Sequence, residues 1–424
     1  MKKKLLLAAV LVMAAAMIFA GGQKSGGSGG TTLTVWDFKY GEETTGKVFR
    51  ELDKMFMEKH PGVTINHVAQ PEAEYYQLLA SAFRAKNDLD VVMIHPESRA
   101  WNLMDFFEVL DPYITAEKGN YSGNTLKVMA APSDPGKIRM LPLTNQGMGV
   151  YYNKLNFAKA GLDPNKIPSS WNDFIAACDA LKKAGIPPVI YGTPHGICFT
   201  YRVLMATLYG PKLEGFRNGT ANFTDPEYRK ATAAIKELFD KGYVNVENAS
   251  ISYFTDAIEI FKSGKGGFFF GLNSDIAHWK DFGGALGYDN VGYFSSPLLP
   301  GAAYPNAQIS QGAGIGWAAV NYGKNKDLAI EYIKHYTSGQ GAKMFMDASG
   351  AIVPNSSIPV DSSNKLLGTI MNQMSKNPAP DYMQILPGAM ENDYYALQNL
   401  FFLSKEISID EYINRVQALY KSVL

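Results

Sequence analysis

Cysteine is scarce in this chain, with two among 424 residues, and no array of histidines, long single-sign charge run, internal repeat or heptad pattern occurs. Lys+Arg and Asp+Glu both number 40, so no basic surface marks a nucleic-acid partner. The histidines His60, His67, His95, His195, His278 and His335 are scattered without ligand spacing, and neither H-E-x-x-H nor G-x-S-x-G is present. Zinc chemistry and a serine-nucleophile elbow are therefore unsupported. Gly264-Lys265 is followed by Gly266 and lacks the upstream glycine of a Walker loop. GAGIG, residues 312–316, enters a strand instead of opening a helix after one, which argues against a dinucleotide loop. No cofactor and no metal are expected. Glycoside hydrolysis needs only two carboxylates at a set separation, so a secreted carbohydrate-active enzyme remains an open alternative. Of the cysteines, Cys178 lies on the apolar stripe Trp171, Phe174, Ile175, Cys178, Leu181 and reads as a small buried thiol. A disulfide to Cys198 stays possible in an oxidising compartment.

That compartment is indicated by the first residues. Lys2, Lys3 and Lys4 precede an apolar run from Leu5 to Ala20, the pattern of a secretory signal, with cleavage expected after Gly22 or Ala20. We expect residues 1–22 to be a signal peptide and the protein to be exported, periplasmic or associated with the cell surface. Gly21 and Gly22 stand where a lipid-anchoring cysteine would be, so no lipobox is seen. QKSGGSGG, residues 23–30, is a flexible Gly/Ser linker by composition.

From residue 31 the pattern is α/β. Strand LTVWDF, a helix to about Lys59, strand VTINHV, a helix near 72–86 and strand LDVVMI give a βαβαβ order and so a parallel sheet. The first helix presents Val48, Leu52, Met55 and Phe56 and stops at His60-Pro61-Gly62. A second α/β region follows KIRMLPL: strand MGVYYN, a helix from Trp171 to Ala184 capped by Ser170, strand PVIYG, a helical run near Phe199, helices around 225–241 and 252–263, and the aromatic strand GGFFFG. YFSSPLLPG is a candidate linker. GIGWAAV reads as a strand, 326–347 as helix broken at Gly339, and the C-terminus as a helix capped by Ser408. A chain of this length and order predicts two domains.

Aromatic residues make up 12% of the chain and recur at strand ends and in loops. A pyranose presents an apolar face and a hydroxyl rim, so stacked rings beside planar polar groups suit it. By residue type alone, Trp36 beside Asp37 fits either the edge of the core or such a site. LPLTNQGMGVYYNKLNFAKAGLDPNKIPSSWNDFIAACDALKKAGIPPVIYG resembles the extracellular solute-binding proteins of ABC importers, specifically the family-1 sugar-binding group that includes maltose-binding protein. Its markers are Pro142, Tyr152-Asn153-Lys154, Ala160-Gly161-Leu162, Pro168 and Trp171. LTVWDF, LDVVMI, FKSGKGGFFFG and KNKDLAIEYIKHYTS with GAIVPNSS support the same resemblance in order along the chain.

The resemblance implies a type II periplasmic-binding-protein fold: two α/β lobes joined by crossing segments, with solute held in the cleft by hinge closure and delivered to membrane permease subunits. It implies a monomer without catalysis, carrying a mono- or oligosaccharide. A non-sugar solute on the same fold is the other alternative. With crossings near Leu143, Pro297 and Pro354, lobe 1 is expected over 31–143 and 298–353, and lobe 2 over 144–297 and 354–424. The implied ligand-binding residues are Trp36, Asp37 and Tyr40 after the first strand, with Trp36 stacking and Asp37 accepting from hydroxyls. His95, Glu97 and Ser98 follow the third strand, and Gln146 stands at the interlobe strand where the family often has an acid. From the second lobe come His195, Phe199 and Tyr201, with Gly196 and Cys198 in place of the acid and tyrosine of the maltose branch. Asn273, Ser274, Trp279, Gln311, Gly312 and Tyr394 complete the set.

Overall fold

The computed structural model describes residues 30–72, 74–244, 251–361 and 363–424. The expected signal peptide and nearly all of the Gly/Ser linker lie outside the described residues. In chain order the elements that carry the site are β1 (Thr31–Asp37), α1 (Glu43–Lys59), β2 (Val63–Ala69), α2 (Tyr75–Ala85), β3 (Val91–Ile94), β4 (Leu141–Pro142) and β5 (Met148–Asn153). They continue with α3 (Trp171–Lys183), α4 (His195–Tyr209), β6 (Phe268–Leu272), β7 (Val291–Phe294), β8 (Gln308–Gln311), β9 (Gly316–Ala319), α5 (Lys326–Thr337), β10 (Pro378–Pro380), α6 (Glu391–Phe402) and α7 (Ile409–Val423).

The first sheet has the order β2-β1-β3-β9-β4. β1 pairs parallel with β2 and β3, as the βαβαβ pattern requires, and β9 returns antiparallel beside β3. The second sheet, β6-β5-β7, is antiparallel, with Val150 opposite Phe270 and Tyr151 opposite Tyr293. PVIYG does not form a strand. Val189 makes single bridges to Val244 and Phe268, because its amide and the next one donate to different neighbours, Tyr243 O and Phe268 O.

Local signals explain the elements. Ser170 Oγ accepts from the Asp173 amide at the start of α3, and Ser408 does the same for Glu411 at α7. On α1 the buried positions are Phe49, Leu52, Asp53 and Phe56, one residue round from the expected face through Val48 and Met55, which are half-buried. Cys178 and Cys198 are both buried free thiols. Among the described residues no helix is long and apolar enough to cross a membrane.

Two hydrophobic cores form, and we take them as the two lobes. The first gathers Leu33 to Leu143, Ala313 to Val320, the α5 face, Val353 and Ile358; the second gathers Met148 to Ile309, Ile352 and Leu366 to Tyr420. Leu299, Ala307 and Ile309 therefore pack with the second core, and the return crossing falls at 310–313 instead of near Pro297. YFSSPLLPG is not an interlobe linker, since Leu298 exchanges backbone hydrogen bonds with Ser169 and Trp171 and Leu299 is buried. The third crossing follows Ile358, and Val360 touches both cores, so it lies beyond Pro354.

At the carboxyl end of β1, Asp37 is fully buried. Its Oδ1 accepts from the Lys39 and Tyr40 amides at 3.1 and 2.8 Å and its Oδ2 pairs with His67 Nε2 at 3.0 Å. His67 Nδ1 meets Asp53 Oδ2 at 2.8 Å, while Tyr332 and Tyr336 donate to Asp53 Oδ1. The resulting turn packs on α1 so closely that a Cβ at Gly46 would stand 2.0 Å from the Tyr40 carbonyl oxygen. Burial pulls the His67 ring down, but the two carboxylates outweigh it and hold the imidazole above its ordinary value of 6.5. A group raised on folding stabilises fully below its unfolded value, and that stability is lost as pH rises through the folded value. The melting-temperature gap between the protein and His67→Gln is expected to be widest below the ordinary value of 6.5 and to narrow as pH rises above it. A gap independent of pH in thermal melts would refute a charged His67.

Candidate functional site

A cavity of about 520 Å³ lies between the two cores. The parallel strands β1 and β3 point their carboxyl ends at it, and the segments that follow them line one wall: Lys39 and Glu42 after β1, His95 to Arg99 except Glu97 after β3. The facing wall comes from the start of α4, the helical segments over residues 253–262 and 382–385, the loop after β6, and α6.

The lining combines two chemistries. On the second-lobe side Phe254 and Tyr395 bracket the His195 ring at 4.6 and 5.5 Å between centroids, with Phe199 also at 5.5 Å. His195, Phe199 and Arg202 occupy positions i, i+4 and i+7 of α4, which places all three on one helical face toward the cavity. Burial presses the His195 imidazole down to about 4, leaving it neutral, and its Nδ1 has no partner among the described residues. A neutral ring with an open nitrogen can serve a ligand hydroxyl.

Ion pairs that cross between the lobes supply the rest of the lining. Lys39 Nζ lies 3.2 Å from Asp275 Oδ2 and 2.9 Å from Glu42 Oε1. Arg99 NH2 reaches both oxygens of Glu391, at 2.8 and 2.9 Å. Burial alone would lower Lys39 and raise Asp275. Their mutual attraction reverses both, so the lysine is held above and the carboxyl below its ordinary range. Burial would likewise raise Glu391, and Arg99 holds it low instead. Deeper in, Arg202 pairs with the buried Asp381, which also accepts from Gln146 Nε2 at 3.0 Å. Tyr76 accepts from the His95 amide at 2.9 Å, which leaves its own proton for His95 Nδ1 at 2.7 Å. Burial lowers His95, so the ring is neutral and presents its Nε2–H.

Residues 51–367 match the family described as bacterial extracellular solute-binding protein. The chain belongs to this family. It is a family of binding proteins and not of enzymes. Relatives of this solute-binding protein include a binding protein of Brucella abortus, 28% identical over 231 residues, 53% of this chain and 54% of that one. The sn-glycerol-3-phosphate-binding periplasmic protein of Shigella flexneri is 25% identical over 53% and 54%. The multiple sugar-binding protein of Streptococcus mutans is 26% identical over 34% and 33%. The chain spans about half the length of the first curated relatives it matches. Among solved structures, a chitin oligosaccharide binding protein superposes with a TM-score of 0.81 at 19% identity, covering 93% of this chain and 99% of that one. A maltose-bound T. maritima protein gives 0.76 at 17%, covering 93% and 100%. These likenesses fix the two-lobe periplasmic-binding fold.

Of the residues expected at the site, His95, Ser98, Gln146, His195, Phe199 and Ser274 stand on the cavity wall of this solute-binding protein. The others are placed elsewhere, each for a physical reason. Asp37 spends both oxygens on its own turn and on His67, so it fixes Lys39 instead of facing solute. Trp36 alternates to the opposite face of β1 from Leu33 and Val35 and packs against the first core. Tyr40 stacks on His67 at 3.9 Å. Glu97 turns away from the cavity and accepts from Arg217. Tyr201 donates to Thr232 and Tyr394 bonds Tyr228, both deep in the second core. Asn273 bonds Tyr151 and Tyr293. Trp279 donates to Gly350 O across the lobes at 2.8 Å. Gln311 lies in β8 opposite Pro380, and Gly312 in the crossing behind the cavity at φ +117°. Lys39, Arg99, Arg202, Phe254, Asp275, Glu391 and Tyr395 join the wall without having been expected.

Proposed function

We propose that this solute-binding protein captures a mono- or oligosaccharide in the interlobe cavity and hands it to the permease of an ABC importer. The observation that carries this is the mixed lining of the cavity: rings of Phe199, Phe254 and Tyr395 beside planar or charged hydrogen-bonding groups of His95, Arg99, Gln146 and Glu391. A pyranose offers an apolar face to the first and hydroxyls to the second. The volume of about 520 Å³ suits a small solute. The names of the streptococcal relative and of the chitin-oligosaccharide and maltose-bound structures support a sugar. Membership of an extracellular solute-binding family supports an exported location and delivery to a permease. Hinge closure over the bound solute, by a single copy of the chain, completes the proposal.

The test is a thermal-shift screen over neutral sugars followed by calorimetry, since a ligand that binds only the folded chain raises its melting temperature. Phe254→Ala is expected to weaken the best sugar by roughly tenfold, about 1–1.5 kcal/mol for a lost ring contact, with the unliganded melting point nearly unchanged. A panel in which no sugar shifts the melt defeats the reading.

A further inference from the structure

We propose that Asp275 and Glu391 select the charge of the cargo: by pairing with Lys39 and Arg99 as the lobes meet, they leave the cavity able to hold an uncharged solute and unable to hold a phosphorylated or carboxylated one of the same size. The proposal rests on the sugar-capture reading and narrows its substrate class.

Anion recognition needs a cation whose charge is not already compensated, a free guanidinium above all. Every lysine and arginine among the described residues of the cavity wall is already paired with a carboxylate. Lys39 lies between Glu42 and Asp275, Arg99 is shared between both oxygens of Glu391, Arg202 is held by Asp381, and Lys262 Nζ sits 2.6 Å from Glu259 Oε1. Neither histidine of the wall supplies a cation, because burial keeps both neutral.

The placement of the partners matters as much as their number. Lys39 and Arg99 follow strands of the first lobe, whereas Asp275 follows β6 and Glu391 opens α6 in the second. The carboxylates therefore arrive from the opposite side of the cleft. A phosphate between the walls either displaces one of them, leaving a carboxylate in the same cavity with no partner, or sits beside it as a like charge. Tyr395 donates to Glu391 Oε1 at 3.0 Å and Ser274 to Asp275 Oδ1 at 2.8 Å, which fixes both acids in the position that blocks the cations. A hydroxyl can instead donate to the carboxylate and accept from the guanidinium of one pair without separating them. The glycerol-phosphate relative shows that phosphate esters are cargo for some chains of similar sequence, so the distinction is one that cavity residues have to make.

Calorimetry on the full mature chain with inorganic phosphate and glucose 6-phosphate tests this. The unaltered protein is expected to bind neither. Glu391→Gln keeps the shape and the Tyr395 hydrogen bond while releasing Arg99, and Asp275→Asn releases Lys39. Each is expected to gain glucose 6-phosphate affinity of at least about tenfold over the unaltered chain, and Arg99→Met in the Glu391→Gln background should remove the gain. Binding of either anion by the unaltered protein overturns the proposal, as does the absence of any gain in both folded variants. If neutral sugars fail to bind while the variants gain phosphate ester, sugar capture falls and the charge rule stands. If the unaltered protein binds a neutral sugar and its phosphate ester equally, sugar capture stands and the charge rule falls.

Discussion

Asp381→Ala is expected to lower the unfolding free energy of the second lobe by about 3–5 kcal/mol, the cost of leaving a buried cation without its partner. Arg202 and Asp381 are 8% and 2% exposed, so water does not replace the lost carboxylate. The carboxylate holds more than the guanidinium: Arg202 Nε donates to Oδ1 at 2.9 Å, Gln146 Nε2 to Oδ2 at 3.0 Å, and the Met383 amide to Oδ1 at 3.1 Å. One side chain thus ties α4, the segment just past the first crossing and the loop that follows β10 into one unit. Asp381→Asn, which retains hydrogen-bonding capacity but not charge, should fall between the two. Urea denaturation followed by tryptophan and tyrosine fluorescence reads the difference. A loss below about 1 kcal/mol, the range of an exposed pair, would mean that the site relaxes and lets water reach Arg202.

Asp381 also illustrates what local pattern reveals and what it hides. Its neighbours PAPDYM carry no periodicity that assigns it a partner 179 residues away. The elements around the cavity were legible because they follow rules that act over a few residues. Period-two apolar alternation marked β1, the continuous apolar run VVMI marked β3, and Ser170 and Ser408 marked helix starts by offering a side-chain acceptor to a free amide. The family resemblance implied His95 and Ser98 after β3, where parallel strand order also puts a ligand. Phe199 and His195 could be found from one helix, and Arg202 was equally available there, three residues beyond Phe199 on the same face. The lobe boundaries were less legible, since Leu299, Ala307 and Ile309 join a core whose other members are mostly more than a hundred residues distant or on another strand.

The stretch LTVWDFKYG shows where reasoning from residue type misassigns a role. Trp and Asp together suit a sugar, yet alternation along β1 sends Trp36 to one face and Asp37 to the other. Asp37 then meets His67, a partner set by the parallel register that places Val35 opposite His67. The cavity receives Lys39 instead, delivered by the turn that Asp37 closes. Glu391 and Tyr395 had no local signal at all, because Arg99 lies 292 residues from Glu391 and only the folded chain brings them together. Charge pairing across a cleft is a property of the assembled lobes.

Arg217→Ala is expected to shift the sugar-bound chain toward an open arrangement of its lobes, by about 2–5 kcal/mol in the closing equilibrium. Glu97 belongs to the first lobe, is 4% exposed and takes φ +65°, which turns it away from the cavity that its neighbours Ser98 and Arg99 line. Arg217 reaches it from the second lobe at 2.7 Å while resting 4.8 Å from the Trp101 ring and bonding Glu214 at 3.2 Å; Lys127 of the first lobe lies 3.4 Å from Glu214. Burial pushes the Glu97 carboxyl up to about 7 even though Arg217 and Lys127 act in the other direction. Without Arg217 the closed form holds a buried carboxylate that has lost its hydrogen-bonded partner, whereas opening returns it to water. The pH dependence follows from the sign of that shift. A carboxyl raised in the closed form above its ordinary 4.5 takes up a proton on closure, so closure is favoured below the raised value and disfavoured as pH climbs through it. Arg217 lowers the carboxyl, so its loss raises Glu97 further, and small-angle scattering with saturating sugar should find Arg217→Ala most expanded near about pH 9, with compaction recovering near about pH 6 as Glu97 becomes neutral. Compaction equal to that of the unaltered chain at both values would show that Glu97 and Arg217 do not hold the lobes together. Expansion that persists at the lower value would assign the effect to the lost contact with Trp101 instead of to the charge.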